Sequence, residues 1–448
     1  MNKKEEKLRM IAEGNITKVL FQLGIPVIIG MLVTSFYNVI DAMFVGGLGT
    51  SQMGAVSITY PIGQLIIGLG LTFGSGSASY ISRLLGEQNN RQANRTASTA
   101  LFTSIIVGVI TIIITMCFLD QVLIFLGATP TILPYAKEFA LIYIPGSILN
   151  VINVTMNNIS ASEGATKISM TAMLTGAVLN IILEPIFIYT FQWGIQGSAI
   201  ATVIAQGVTT LLYIGYILGK KSNLQISVKY FAADKMIYVQ ILKIGIPTLL
   251  FQLLSSTSMG LINTASSHYG DSAVAAMGVV TRVLALGSYV IFGFAKGFQP
   301  VAGYNYGAKN YKRLREAIAV SLKWSTVFCA VTEMIFIILS RQIMNLFSKD
   351  ATVIAIGSNA LRASSITFIL FGFQYIYTTL FLALGKALKG TILSAARQGI
   401  FFIPVILILP GICGLNGIIF TQPIVDIITT ILTAVLAVGL QRKMSSAR

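Results

Sequence analysis

Apolar stretches of 20 or more residues recur from one end of this chain to the other. The segment LFTSIIVGVITIIITMCFL, residues 101–119, is apolar on every face rather than on alternate positions. A helix of about 20 such residues crosses a hydrocarbon core of about 30 Å, whereas barrel strands are shorter and alternate in hydrophobicity. Only 10% of the 448 residues are charged, against roughly 25% in soluble domains. The sequence therefore predicts an all-α membrane protein.

We predict twelve transmembrane helices, each an apolar stretch bounded by charged or turn-forming residues. The predicted spans are residues 17–43, 53–83, 96–119, 133–161, 168–191, 196–219, 238–266, 273–301, 317–340, 353–384, 390–410 and 415–440.

The second half of the chain repeats the first at a constant offset, without gaps over the first two spans of each half. The sequence GIP at 24–26 recurs at 245–247, and Gly76 corresponds to Gly297. Near the ends of the halves, GIQG at 194–197 corresponds to GLNG at 414–417, one position short of the same offset. Such self-similarity indicates duplication of a six-helix unit. Because six is even, both copies enter the membrane in the same direction, and a pseudo-two-fold axis along the membrane normal relates them.

This repeat predicts two six-helix bundles, at residues 1–219 and 237–448, joined by a polar cytoplasmic linker at 220–236. Parallel repeats of this kind are typical of secondary transporters, in which substrate binds between the halves near the midplane. Rocking of one bundle against the other then opens the site to each side in turn. A duplication that serves structure alone is the other interpretation.

The net charge of +16 lies mainly in the joints between apolar stretches. A basic chain can bind nucleic acid, but most of the 31 Lys and Arg residues fall on one side of the predicted membrane. Only Lys137, Arg341, Lys349 and Arg362 fall on the other side. The positive-inside rule makes both termini cytoplasmic, so we predict a multi-pass cell-membrane protein and no nucleic-acid partner.

Several kinds of site are not indicated by the sequence. The three cysteines lie in apolar stretches without CxxC spacing, and His268 is the only histidine, so neither a disulfide framework nor a His-based metal site is expected. The glycine-rich segment at 68–80 lacks the GK[ST] ending of a phosphate-binding loop. We expect no cofactor and no ATP-driven transport by this chain alone.

Two carboxylates with polar neighbours form the candidate coupling site. Asp41 lies late in the first predicted helix, Glu184 follows Asn180 by one turn on the fifth, and Thr202 lies on the sixth. Each buried carboxylate costs on the order of 3 kcal/mol or more in a bilayer unless it has a partner. The oxygen-rich set suits Na⁺, a shared proton, or a hydrogen-bond network that only fixes helix packing.

Other intramembrane charges have more than one interpretation. Glu163 lies one turn before Lys167, which favours a structural ion pair near the surface. Asp426 either lines a cavity or binds a neighbouring helix. Glu333 and Lys296 lie on adjacent spans and are candidates to neutralise one another.

Long stretches resemble the multidrug and toxic compound extrusion (MATE) family. They include GIPVIIGMLVTSFYNVIDAMFVGGLG at 24–49, LNIILEPIFIY at 179–189 and QPVAGYNYGA at 299–308. The later segments are most similar to the bacterial subgroup of MepA-type pumps. The resemblance implies twelve helices in two bundles and export of organic cations and amphipathic drugs in exchange for Na⁺ or H⁺. We expect a monomer whose partners are small cationic or amphipathic drugs and membrane lipid.

In family members with a cation site in the first bundle, the motif positions correspond to Asp41, Asn180, Glu184 and Thr202, and the helix hinge corresponds to Pro26. Glu184 departs from the more usual aspartate, which lengthens its reach by one methylene. Some relatives instead use acids on the seventh and tenth helices, where this chain has none.

A drug cavity of this family would be lined by aromatic and flexible apolar groups, which adapt in shape and contact cations through their rings. The candidate cavity residues are Met31, Phe36, Tyr37, Asn38, Met173, Met259, Gln422 and Asp426. One alternative is a flippase for a lipid-linked sugar in the same superfamily, although those usually have fourteen helices. A membrane-embedded transferase is another, but it would require clustered aspartates with Mg²⁺ or a catalytic histidine. A channel is the third.

Overall fold

The computed structural model describes residues 9–219, 221–348 and 350–445, with the backbone alone for residues 38, 39, 42, 50, 271 and 443–445. The described residues form helices and connecting turns, with no strand among them. Within these residues eleven helices are long and apolar enough to cross a membrane, and a bent pair supplies a twelfth span. This confirms the predicted all-α fold. In chain order the spans are α1 (Ile16–Gly46), α2 (Thr50–Gly86), α3 (Asn90–Cys117), α4 (Leu133–Ser162), α5 (Thr166–Thr190), α6 (Gly194–Leu218), α7 (Lys235–Ser267), α8 (Asp271–Gly307), α9 (Tyr311–Ile338), α10 (Ala351–Ser365 with Phe368–Ala383), α11 (Ala387–Cys413) and α12 (Leu415–Ser445).

The turns between helices repeat as the sequence does. Gln88 and Lys309, which occupy equivalent positions of the two halves, both adopt the left-handed backbone conformation, with φ of 58° and 56°. In each case the next residue is an asparagine whose side chain caps the following helix, with Asn89 accepting from Gln92 N and Asn310 accepting from Arg313 N, both at 3.2 Å. The duplication therefore extends to individual backbone angles.

Helix α10 differs from its prediction as one continuous span. Its two segments meet at an angle of 51°, although no proline lies at the break. The second segment begins there, and its first-turn amide, Ile369 N, donates to Glu333 Oε2 of α9 at 3.2 Å. A carboxylate at a helix N-terminus satisfies amides that have no intrahelical partner. Glu333 thus stabilises the break in α10 rather than neutralising Lys296.

The two bundles pack most closely near the end of the molecule where the linker lies, called here the linker side. A Cβ atom added to Gly297 would lie 2.5 Å from Gly24 N, and one added to Gly245 would overlap the backbone oxygen of Thr72. These positions are related by the repeat, since Gly24 corresponds to Gly245. Only glycine allows such close approach of two backbones, so the linker side is closed by direct helix contact.

Toward the opposite end, called here the far side, contact between the bundles decreases. Among the described side chains, the inter-bundle hydrogen bond furthest from the linker joins Gln252 Nε2 to Gln64 Oε1 at 3.0 Å, near the middle of α2. Beyond Gln252, the far-side ends of α1 and α7 form no hydrogen bond with the opposite bundle within the described part of the chain. The state described is therefore tightly sealed at one end only.

The largest hydrophobic cluster also lies across the linker side. Ile11 and Leu23, from the start of the chain, pack with Phe298 of α8 and Leu380 and Phe381 of α10. Burial of such side chains contributes roughly 25 cal/mol per Å² of apolar area against water. On the outer surface, Leu211, Ile338 and Val435 are among many exposed large apolar residues, as expected for helices that face lipid.

The linker lies against the first bundle along α3. Backbone amides of Gln225 and Ser227 donate to side-chain oxygens of Asn94 and Ser98, at 2.9 and 3.2 Å. Ala232 N donates to Thr99 Oγ1 at 3.1 Å. These side chains supply acceptors that an irregular backbone would otherwise lack.

Glu163 holds the beginning of this linker rather than pairing with Lys167. Its carboxylate accepts from Tyr216 Oη at 2.6 Å, from Ser222 Oγ at 2.8 Å and from Asn223 N at 2.5 Å. Among the described contacts, none joins Glu163 to Lys167. The prediction of an ion pair there is wrong because the linker folds back over the end of α4 and supplies hydrogen-bond donors.

Candidate functional site

The four predicted coupling residues meet where α1, α5 and α6 come together. Asn180 Nδ2 donates to Thr202 Oγ1 at 3.1 Å. The carboxyl groups of Asp41 and Glu184 are in direct side-chain contact. Asn180 and Glu184 are 1% and 0% exposed, and Asp41 is partly buried. Residues from three separate helices are thus brought into one polar cluster inside the first bundle.

Each helix contributes two polar groups one turn apart. Asn180 and Glu184 share a face of α5 because residues i and i+4 lie above one another. On α6, Ser198 occupies the position one turn before Thr202, and its Oγ donates to Glu184 Oε1 at 3.0 Å. Ser198 was missed by sequence reasoning, although its spacing from Thr202 was a usable signal.

Tyr37 provides the equivalent pairing on α1, one turn before Asp41. Its hydroxyl interacts with Thr202 and lies near both carboxyl groups, and Tyr143 of α4 faces Asp41 as well. Tyr37 was predicted as a drug-cavity residue. The structure places its polar end in the carboxyl cluster, while its ring is partly buried.

Two oxygens of the cluster remain available to a cation. Asn180 Oδ1 and Glu184 Oε2 are buried, and no N–H or O–H group of the described residues donates to them. Buried acceptors are normally hydrogen-bonded, because desolvation without a partner costs roughly 1–3 kcal/mol. Two carboxyl groups in contact form a hydrogen bond only when one of them carries a proton. The donor set, made entirely of oxygens, also fits a hard monovalent cation such as Na⁺.

The proline positions on α1 and α5 differ in their local structure. Pro26 lies within α1, whose helix continues from Ile16 to Gly46. At Pro185 the α-helix gives way to a π-helical turn, Ile186–Thr190, directly after Glu184. A proline removes one backbone hydrogen bond and disturbs the preceding turn, and π-helical turns are often found at functional sites.

In the second bundle, the charge of Asp426 is balanced by an ion pair with Arg397 and not by a bound cation. Its Oδ1 accepts from Arg397 Nε and from Gln422 Nε2, both at 2.8 Å, and its backbone oxygen accepts from Gln374 Nε2 at 2.8 Å. The Arg397 guanidinium also stacks 4.4 Å from the ring centroid of Phe371. Asp426 therefore binds a neighbouring helix, since Arg397 lies within α11.

The remaining predicted cavity residues are not one cluster. Met173 packs on α1, since a Cβ at Gly30 would lie 2.9 Å from its Sδ, and Met31 is partly buried. Phe36 is 58% exposed and Met259 is 45% exposed. The side chain of Asn38 lies outside the described residues. Gln422 donates to Asp426 and belongs to the ion-pair cluster of the second bundle.

A family model described as MatE matches the chain twice, at residues 26–186 and 247–408. The two matches begin at equivalent prolines of the internal repeat, Pro26 and Pro247.

Among curated relatives, the chain is 30% identical over 440 residues to the multidrug export protein MepA of Staphylococcus saprophyticus, covering 98% of this chain and 97% of that protein. It is 29% identical to MepA of Staphylococcus aureus over 441 residues, with the same coverage. A solved structure described as the outward-facing conformation of a multidrug resistance MATE family transporter superposes with a TM-score of 0.91 at 28% identity, covering 98% of both chains. A MATE structure in the straight conformation superposes with a TM-score of 0.92, also at 28% identity and 98% of both chains. The double match, the full-length relatives and the shared fold together show that this chain belongs to the MATE family of multidrug export transporters.

Proposed function

We propose that this protein is a secondary active multidrug exporter, which moves organic cations and amphipathic drugs out of the cell in exchange for inward Na⁺ or H⁺. The observation that carries the proposal is the contact between the Asp41 and Glu184 carboxyl groups inside the first bundle. Transport rather than catalysis is favoured by the family and by two bundles that pack through repeated contacts. Because one chain contains both bundles, a monomer is sufficient for activity.

The carboxyl pair requires a companion positive charge. Each ionised carboxylate inside the membrane costs on the order of 3 kcal/mol, and two in contact also repel each other. A proton or Na⁺ reduces this cost, and so does a cationic drug. When either type of cation is bound, the site carries less net negative charge and attracts the other type less strongly. If one cation must therefore leave before the other binds, the two are exchanged.

Alternating access follows from the asymmetric packing of the bundles. The described state is closed at the linker side by the glycine contacts between α1 and α8 and between α2 and α7. Its similarity to an outward-facing MATE structure favours assignment of the far side as the outside. The concentration of Lys and Arg near the linker and termini also makes the linker side cytoplasmic. In this state the cation site would exchange with the external solution.

Pro26 is the proposed hinge of α1. It lies between the glycine contact at Gly24 and the carboxyl of Asp41, about four turns along the helix. A helix without one backbone hydrogen bond bends more easily. A change in the charge of the Asp41 cluster would then move the far-side half of α1 while the contact at Gly24 holds the linker-side half.

The test is efflux of a fluorescent organic cation from proteoliposomes under separately imposed Na⁺ and H⁺ gradients. Wild type is compared with Asp41→Asn, Glu184→Gln and the matched control Glu138→Gln, whose side chain is exposed near the far side. We expect wild-type efflux to be driven by one of the two gradients. The two cluster variants should lose this dependence on the gradient, and the control variant should keep it. Gradient-driven efflux that persists in both cluster variants would refute this assignment of the coupling site.

A further inference from the structure

A row of polar side chains leads from the second bundle toward the coupling site in the first. Gln252 Nε2 of α7 donates to Gln64 Oε1 of α2 at 3.0 Å, across the interface between the bundles. Gln64 Nε2 in turn donates to the hydroxyl of Tyr60, one turn earlier on α2. Both hydrogen bonds therefore run in the same direction, with each donor pointing into the first bundle.

Tyr143 of α4 lies between Tyr60 and the coupling site. Its hydroxyl interacts electrostatically with both Tyr60 and Asp41, but it forms a hydrogen bond with none of the described residues. Its ring stacks on Phe139 at a centroid distance of 5.1 Å, and a Cβ added to Gly63 would lie 2.7 Å from Tyr143 Oη. Because Gly63 has no side chain, the hydroxyl reaches α2 and can turn toward either neighbour.

The row has no sequence counterpart in the second half of the chain. By the internal repeat, Asp41 corresponds to Ile262 and Gln64 corresponds to Ala285, which are both apolar. The glycine contacts between the bundles, in contrast, recur in both halves. A polar row that occurs only in the half with the carboxyl pair is expected if it serves coupling rather than packing.

We propose that Tyr143, Tyr60 and Gln64 transmit the charge of the coupling site to Gln252 of the second bundle. The inference rests on the proposed function, since it describes how cation binding at the carboxyl pair would move the bundles. The three side chains act as positioning residues, because their effect is on the contact between α2 and α7.

The charge of Asp41 determines how the row is connected. A hydrogen bond to an ionised carboxylate is roughly twice as strong as one to a neutral oxygen. When Asp41 is ionised and has no bound cation, the Tyr143 hydroxyl donates to it and Tyr143 Oη accepts from Tyr60. All the bonds from Gln252 to Asp41 then run in one direction and strengthen one another.

Cation binding has the opposite effect on the contact between the bundles. A proton or Na⁺ offsets the charge of Asp41, so the Tyr143 hydroxyl loses its strongest acceptor. The described structure corresponds to this arrangement, because the two carboxyl groups are in contact and Tyr143 is not bonded to either neighbour. The bond between Gln64 and Gln252 is then no longer reinforced, and the bundles separate more easily at this point.

The experiment measures the distance between spin labels at Thr131 and Arg341, exposed far-side positions on different bundles, in the full chain without its native cysteines. Spectra are recorded without drug, at low and high Na⁺ and over a series of pH values. The variants are Tyr143→Phe, which removes only the hydroxyl, Gln64→Leu and the double variant. The matched control is Tyr135→Phe, which removes a hydroxyl two turns away on α4 that bonds to none of the described residues.

We expect Na⁺ or protons to change the ratio of the distance populations in wild type and in Tyr135→Phe. Tyr143→Phe and Gln64→Leu should each reduce this ion-induced change at least about threefold. The double variant should reduce it no further, because either substitution already interrupts the row. A full ion response in both single variants, or reductions that multiply in the double variant, would overturn the proposal. A wild type that responds to neither ion would refute the coupling mechanism itself, and the transmission through Tyr143 with it.

Discussion

Arg83 holds the closed linker side together, and its replacement should open that side. The side chain is 7% exposed and lies on α2. Its Nη1 donates to Ala383 O of α10 at 2.9 Å and to Ser79 Oγ at 2.8 Å, while Nη2 lies 3.4 Å from Gln240 Oε1 of α7. Gly385 leaves room for it, since a Cβ there would lie 2.9 Å from Arg83 Cζ. Arg83 therefore joins both bundles.

The magnitude follows from the cross-bundle contacts. Arg83→Gln removes a charge-assisted hydrogen bond to the carbonyl of Ala383, and such bonds contribute about 1.5–3 kcal/mol. The 3.4 Å contact with Gln240 is weaker and is not counted. The equilibrium between linker-side closed and linker-side open states should shift toward the open state by a factor of about 10 to 150.

The assay is a distance measurement between spin labels at Thr131 and Arg341, which are exposed far-side positions on different bundles. The three native cysteines are replaced first. If the bundles rock, opening of the linker side should bring these labels together, so Arg83→Gln should add a population at shorter distance. Arg91→Gln, an exposed arginine on α3, is the control and should behave as wild type. An unchanged distance distribution in a well-folded Arg83→Gln protein would refute the reasoning.

Three further predictions follow from contacts in the two bundles. Gly297→Ala places a Cβ against the backbone of α1, so overpacking of about 1–3 kcal/mol should shift the same spin-label distances toward the linker-side open state; distances like wild type would contradict this. Asp426→Asn leaves the Arg397 charge buried without its partner, which should destabilise the protein by about 3–5 kcal/mol. The measurement is the melting temperature in detergent, which should fall. The double variant Asp426→Asn with Arg397→Met should recover most of the lost stability, because no unpaired charge is then buried. Ser198→Ala removes the hydroxyl donor to Glu184, worth about 1 kcal/mol, and should change the half-saturating coupling-ion concentration about fivefold without abolishing efflux; an unchanged ion dependence would argue against a role for Ser198.

The helices and their duplication could be predicted from sequence because both depend on local composition. In a membrane, backbone groups must be bonded within each segment, so a long apolar stretch is a helix. The left-handed residues Gly164 and Gly385, with φ of 77° and 71°, lie at equivalent positions of the predicted repeat. The carboxyl cluster was also accessible, since Asn180 and Glu184 are one turn apart on one helix and the family motif supplied Asp41 and Thr202.

The partners of the remaining buried charges could not be predicted. Arg397 and Asp426 lie on different helices and pair at 2.8 Å, while Glu333 and Lys296, on adjacent helices, bind other groups. The length of an apolar stretch determines whether it crosses the membrane. It does not determine how the helix is rotated about its own axis or which neighbouring helix a given side chain faces. Those depend on side-chain packing between helices distant in sequence. The chain's composition and repeat thus establish the twelve helices and their symmetry, whereas packing between helices distant in sequence decides which groups the buried charges contact, such as Asp426 for Arg397 and Ile369 N for Glu333.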